Sequence, residues 1–183
     1  MTEQEFLALV RQNPINAAIL DRLPQFEAFA PGVMLVAGSL FGTVWNAQAG
    51  NAPTDHIKDY DLFSWDADLS SEAEDAVIRQ TAELFADLNA PIEIRNQARV
   101  HLWFNPKYGL NRPPLCSVRE GIEHLTEKAQ RFCPTCKAAK QSRAGGFRRA
   151  GRTCKAAKQR MEQVAVLSRR TRNSENCSRP VSD

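Results

Sequence analysis

The sequence predicts an α/β fold of mixed α+β type, a mixed sheet with flanking helices. Short apolar runs suited to buried strands, "GVMLVAG", "IKDYDLFSW" and "PIEIRNQ", alternate with segments whose apolar residues recur at helical spacing. Residues able to cap a helix stand at the start of those segments. The length, 183 residues, suits one domain of ordinary size with an appendage rather than two full domains.

Thr2-Glu3-Gln4-Glu5 has the form of a capping box and opens a helix to about Gln12. Asn13 then caps a second helix with Pro14 at its first position, and Ile15, Ala18, Ile19 and Leu23 form its apolar stripe up to Pro24. "GVMLVAG" is a short buried strand, and Ser39 to Ala49 the helix after it. "GNAPTDH" is a loop, and "IKDYDLFSW" the second strand. Ser71-Glu72-Ala73-Glu74 reads as a second capping box, opening a helix to about Asn89 with Ala73, Ala76, Val77, Thr81, Leu84 and Phe85 on one face. "PIEIRNQ" is the third strand and "ARVHLWF" a fourth, after which Ser117 and Glu120 cap a helix through Leu125.

Beyond Thr126 the apolar periodicity fades and Arg, Lys, Ser and Cys dominate. Residues 1 to 126 carry 9 Lys and Arg against 17 Asp and Glu, a balance of −8, whereas residues 127 to 183 carry 15 against 4, a balance of +11. The expectation is a folded domain over 1–126 and a basic, Cys-containing tail over 127–183 that is disordered or a loose helix. Thr-Cys-Lys-Ala-Ala-Lys-Gln occurs at 135–141 and again at 153–159, too short a repeat to build an architecture. Cys133, Cys136, Cys154 and Cys177 lack a second close pair and do not make a good zinc set, so binding of nucleic acid by counterion release is the stronger tail reading.

The amino terminus has no basic region followed by an apolar run, so a cytoplasmic location is expected. Ala28 to Thr54 lacks charge, but Pro31, Gly32, Gly38, Gly42, Asn46, Gln48 and Gly50 interrupt it, which argues against a membrane span.

The strand "IKDYDLFSW" places Asp59 and Asp61 on one face, with Cα atoms about 6.5 Å apart from a rise of about 3.3 Å per residue. Two carboxylates so close on a partly desolvated surface call for a cation, and hard divalent ions such as Mg²⁺ suit oxygen ligands. Upstream, Gly38-Ser39 ends a buried strand and opens a helix whose free amides favour an anion such as a phosphate. Downstream, Glu93 sits between Ile92 and Ile94, where an unpaired carboxylate is again penalised. If the strands are neighbours, three acids meet beside a phosphate-binding turn, as two-metal phosphoryl or nucleotidyl transfer requires.

The order Gly38-Ser39, Asp59-x-Asp61, Glu93 resembles the nucleotidyltransferase superfamily that includes DNA polymerase beta. More closely, "AGSLFGTVWN", "IKDYDLFSWDADLSSEAEDA" and "IEIRNQARVHLWF" look like a small bacterial nucleotidyltransferase-like family, formerly a domain of unknown function, over roughly residues 5 to 126. The resemblance implies a nucleotidyltransferase fold, Mg²⁺ ligands at Asp59, Asp61 and Glu93, and a nucleotide contact at Gly38 and Ser39. It leaves the acceptor open. Arg95 and Arg99 are candidate nucleotide contacts by charge, whereas alternation turns Lys58 away from the acids. Tyr60, Trp45, His101 and Trp103 are expected to serve packing. In that family the pattern continues with a small apolar strand and a Gly-Leu-Asp-Asp-Leu segment; nothing similar follows Thr126, and translation in another reading frame is the expectation for the tail.

The expected function is Mg²⁺-dependent transfer of a nucleoside monophosphate from an NTP to a hydroxyl acceptor, with two metal ions in the site. The competing reading is a catalytically inactive relative, or a nucleic-acid-binding module acting through the basic tail.

Overall fold

The computed structural model describes residues 2–132; the cysteine-containing stretch and the repeated heptapeptide of the tail lie outside the described residues. The chain builds a three-stranded mixed sheet in the order β1-β2-β3, with β1 (Met34–Val36), β2 (Tyr60–Ser64) and β3 (Ile92–Asn96). β1 runs antiparallel to β2, and β3 runs parallel to it. Six helices surround the sheet: α1 (Glu3–Val10), α2 (Pro14–Arg22), α3 (Gly38–Ala49), α4 (Ser71–Leu84), α5 (Val100–Tyr108) and α6 (Val118–Phe132).

Caps fix the first two helices as their sequences predict. The Thr2 hydroxyl accepts from the Glu5 amide while the Glu5 carboxylate takes the Thr2 amide, and Asn13 Oδ1 accepts from the amides of Ile15 and Asn16. A 3₁₀ turn over Leu23–Ala28, with Pro24 near its start, carries the chain from α2 toward β1.

Because side chains alternate along a strand, the sheet has two different faces. Leu35, Tyr60, Leu62 and Ile94 point into the main core with Phe6, Val10, Ile19, Phe26, Val44 and Phe85. On the other face a smaller cluster joins Val36 to Val118 and Ile122 of α6, with Met34, Phe63 and Trp65 against it. The helix α6 thus covers β1 on that face from Met34 to Val36, with Phe63 of β2 against it.

Several sequence expectations are corrected. "ARVHLWF" forms no fourth strand: Gln97–Arg99 is a 3₁₀ turn and Val100 onward is α5. Asn96 starts the turn by accepting from the Ala98 amide, and Phe104 and Tyr108 then stack at helical spacing with centroids 4.5 Å apart. A short apolar run with β-branched and aromatic residues cannot be told from a helix by alternation alone. The cap of α4 is Ser70, one residue earlier than expected, because the Ser70 hydroxyl accepts from the Ala73 amide while Glu74 turns to β3. α4 stops at Leu84, short of Asn89, and α6 continues past Leu125 to Phe132. Trp45 is 54% exposed and not a core residue, unlike Tyr60, which is buried.

Candidate active site

The strand register places Val36, Asp61 and Glu93 in one row across the three strands, on the face opposite the main core. Met34, Phe63 and Arg95 form the next row. Asp59 lies just before β2 and is exposed, as is Glu93, while Asp61 is half-buried between them. Burial pushes the Asp61 carboxyl up to about 6, and the charges of Asp59 and then Glu93 push the same way, against Arg95. Asp59 and Glu93 therefore both act on Asp61, as expected if the strands are neighbours. Glu93 also lies 3.5 Å from Arg95 Nη2 in an exposed ion pair.

β1 ends at Val36, beside Asp61, and the chain then turns directly into α3. Ala37 makes that turn with φ 61° and ψ −133°, a backbone region that favours glycine and costs a residue with a Cβ about 1–3 kcal/mol. No side chain caps α3. Its first amides, at an end where the helix dipole is positive, therefore lack a side-chain acceptor, close in sequence to Val36 at the end of the acid row. Gly38 is exposed at this turn, but Ser39 is fully buried, and its Oγ has no hydrogen-bond partner among the described residues. At this turn Gly38 is therefore accessible and Ser39 is not.

A buried polar network holds the turn from below. Thr43 Oγ1 and Asn16 Nδ2 both donate to the Ser39 carbonyl, at 2.7 and 3.3 Å, and Asn13 Nδ2 donates to Thr43 Oγ1 and the Tyr60 hydroxyl, each at 3.2 Å. Tyr60 lies between the two aspartates in sequence but points to the opposite face. The network therefore couples the start of α3 to the strand that carries Asp61. Its members, Asn13, Asn16 and Thr43, are separate polar residues without a local pattern, which is why the sequence does not announce them.

Arg95 and Arg99 have different surroundings. Arg95 lies on the acid face, whereas Arg99 Nη1 donates at 2.6 Å to Glu74, both side chains being 19% exposed, and to the Ser70 carbonyl at 3.1 Å. Arg99 is thus engaged with the start of α4. Lys58 is exposed. His101 and Trp103, expected to pack, instead line a cleft beside Arg95, and Trp103 keeps 51% of its surface open.

The donor set, three carboxylates of which the most buried resists ionisation, has the chemistry of a hard divalent cation site. Among the described residues no three His, Cys, Asp or Glu side chains are grouped so tightly that they form a metal cage as they stand. A cation would have to draw Asp59 and Glu93 toward Asp61, and both are exposed side chains able to move.

Comparison with known proteins bears on the fold and the family. A solution NMR structure described as revealing "a CCA-adding enzyme head domain" is similar to this chain at 26% identity and a TM-score of 0.50; the likeness covers 65% of this chain and 58% of that one. The chain thus spans somewhat over half the length of that protein. No curated protein matches the chain. No helix among the described residues is long and apolar enough to cross a membrane. The sequence pattern of a family described as nucleotidyltransferase matches residues 28–142, which include the α3 turn and all three acids. The chain belongs to that nucleotidyltransferase family.

Proposed function

We propose that the protein transfers a nucleoside monophosphate from an NTP to a hydroxyl acceptor in a Mg²⁺-dependent reaction. The observation that carries this reading is the row in which the half-buried Asp61 stands between the end of β1 and Glu93, next to the side-chain-free amino terminus of α3.

In this reading the exposed Gly38 at the start of α3 receives the triphosphate, and the buried Ser39 shapes the turn beneath it. Asp59 and Asp61 hold the cations, and Glu93 completes the set on the side from which the acceptor comes. Mg²⁺, when bound, would supply Lewis-acid neutralisation of the phosphate oxygens and favour ionisation of the attacking hydroxyl. The acceptor oxygen forms a bond to the α-phosphorus, and the bond from that phosphorus to the bridging oxygen breaks. Pyrophosphate leaves, and the hydroxyl proton passes through the Glu93 carboxylate to water. Arg95 can exchange its exposed contact with Glu93 for a phosphate oxygen; Arg99, tied to Glu74, contributes by positioning α4 against the end of β3.

The test is calorimetric titration of MgATP and the other Mg-NTPs into the full chain and into Asp59→Asn/Asp61→Asn. Saturable binding that needs Mg²⁺ and falls at least tenfold in the double variant is expected, since one lost charge-assisted contact is worth about 1.5–3 kcal/mol. A folded wild-type chain that binds no NTP would leave the inactive relative as the reading.

A further inference from the structure

A cleft of about 230 Å³ opens on the acid face, one row beyond the carboxylates. Phe63 and Arg95 belong to the row next to Asp61 and Glu93, and both line it. α5 contributes Trp103, and the segment between α5 and α6 contributes Arg112. α6, close at hand where Gly121 meets Gln97, closes the far side.

The lining defines what can enter. Its walls are largely apolar and aromatic, and Trp103 is a flat, half-exposed ring with Phe104 edge-on at 5.6 Å and Lys107 Nζ 6.0 Å from its centroid. Among the described residues, every member of the lining that can carry charge is basic: Arg95, His101, Arg112 and His124. The Arg112 guanidinium lies 5.5 Å from the Phe104 ring centroid, so cation and aromatic surface are already side by side. His101 donates through Nδ1 to the Ala98 carbonyl, since a carbonyl only accepts. The volume falls below the roughly 300–1,000 Å³ of pockets that bury a drug-sized ligand, so it suits one ring-bearing unit.

We propose that this cleft is the acceptor subsite, and that it takes a flat aromatic ring bearing an anionic group, such as a single nucleotide unit. The proposal rests on the nucleotidyl-transfer reading above and adds the class of acceptor to it. The ring stacks on Trp103, the anionic group pairs with Arg112, and the attached hydroxyl comes to lie beside Glu93. Donor and acceptor then meet at Asp61 from opposite sides, since α3 follows β1 on one flank of β2 and Glu93 stands on the other.

The experiment titrates adenosine 5′-monophosphate, with ribose 5-phosphate as the control that lacks the aromatic base, into the full chain without Mg²⁺. Trp103→Leu, Arg112→Gln and Asp59→Asn/Asp61→Asn are run beside it after thermal unfolding shows that each is folded, and MgATP is titrated separately. Base stacking worth about 1–3 kcal/mol predicts that the monophosphate binds about tenfold or more tighter than ribose 5-phosphate. Trp103→Leu and Arg112→Gln should each lose about tenfold in monophosphate affinity while keeping that for MgATP. The double aspartate variant should lose MgATP and keep the monophosphate. Equal binding of the two probes, survival of monophosphate binding in Trp103→Leu, or no binding by the folded wild type would overturn the cleft assignment. A folded wild type that binds the monophosphate but not MgATP would instead count against the transfer reading.

Discussion

Asp61 is the residue on which the fold and the proposed chemistry make opposite demands. Its pKa, about 6 against an ordinary 3.8, means that ionising it costs more in the folded chain than in the unfolded one. Below about pH 4 the group is protonated in both states and costs nothing; as pH rises through 6 the metal-free fold loses stability. Asp61→Asn should therefore raise the melting temperature of the metal-free protein at pH 7.5 by a few degrees and leave it almost unchanged at pH 4. The gain is about 1 kcal/mol once the partial solvent exposure of the group is allowed for. Thermal unfolding at the two pH values checks this, and a variant no more stable than wild type at pH 7.5 would contradict it. Much of this is legible in sequence, because an acid between Tyr60 and Leu62 in an apolar strand already demands compensation. The inward turn of Ser39 is not legible, since Gly-Ser opens a helix in the same way whichever side its hydroxyl faces.

Among the elements, the junction of β3 with α5 was the least predictable from sequence, and Asn96 shows why. Its Oδ1 accepts from the amides of Asp66 and Ala98, and its Nδ2 donates to the carbonyls of Asp66 and Asp68. One buried amide thereby ends β3, starts the 3₁₀ turn and ties down the loop before α4, largely through contacts about 30 residues away in sequence. Periodicity carries no trace of such contacts, so "ARVHLWF" reads as a strand until Asn96 is seen turning the chain. Asn96→Asp replaces a donor by a carboxylate oxygen facing two carbonyls. It should destabilise the protein by about 2–4 kcal/mol at pH 7, and by less near pH 4, where the carboxyl is protonated and can donate. Denaturant unfolding at both pH values would show the difference; a variant within about 0.5 kcal/mol of wild type, the spread usual for neutral surface changes, would rule out this role.

On the scale of the whole molecule, charge is divided along the chain: the first 126 residues hold an excess of acid and the remainder an excess of base. Binding of a non-specific oligonucleotide, if driven by the 15 Lys and Arg after Thr126, should weaken by tenfold or more between about 50 and 200 mM salt. Fluorescence anisotropy of a labelled strand measures this, and affinity that does not change with salt would remove the basic segment as its cause. The α/β class and the meeting of the acids were legible because they depend on alternation and strand adjacency. The cleft was not, because it arises only when α5, α6 and the sheet are brought together. The family pattern reaches residue 142, beyond the change in composition at Thr126, so that change is not where the family likeness stops.

The row formed by Val36, Asp61 and Glu93 has a consequence for heredity. Side chains on a strand alternate, so loss of the Ile92 codon would turn Glu93 toward the core and bring Ile94 to the acid face, whereas loss of two codons, at 91 and 92, would leave every later side chain of the strand on its present face. Viable length variants of this strand should therefore differ by even numbers of residues. The exposed loop before β2, residues 50–56, carries no such arithmetic and can lengthen or shorten one residue at a time.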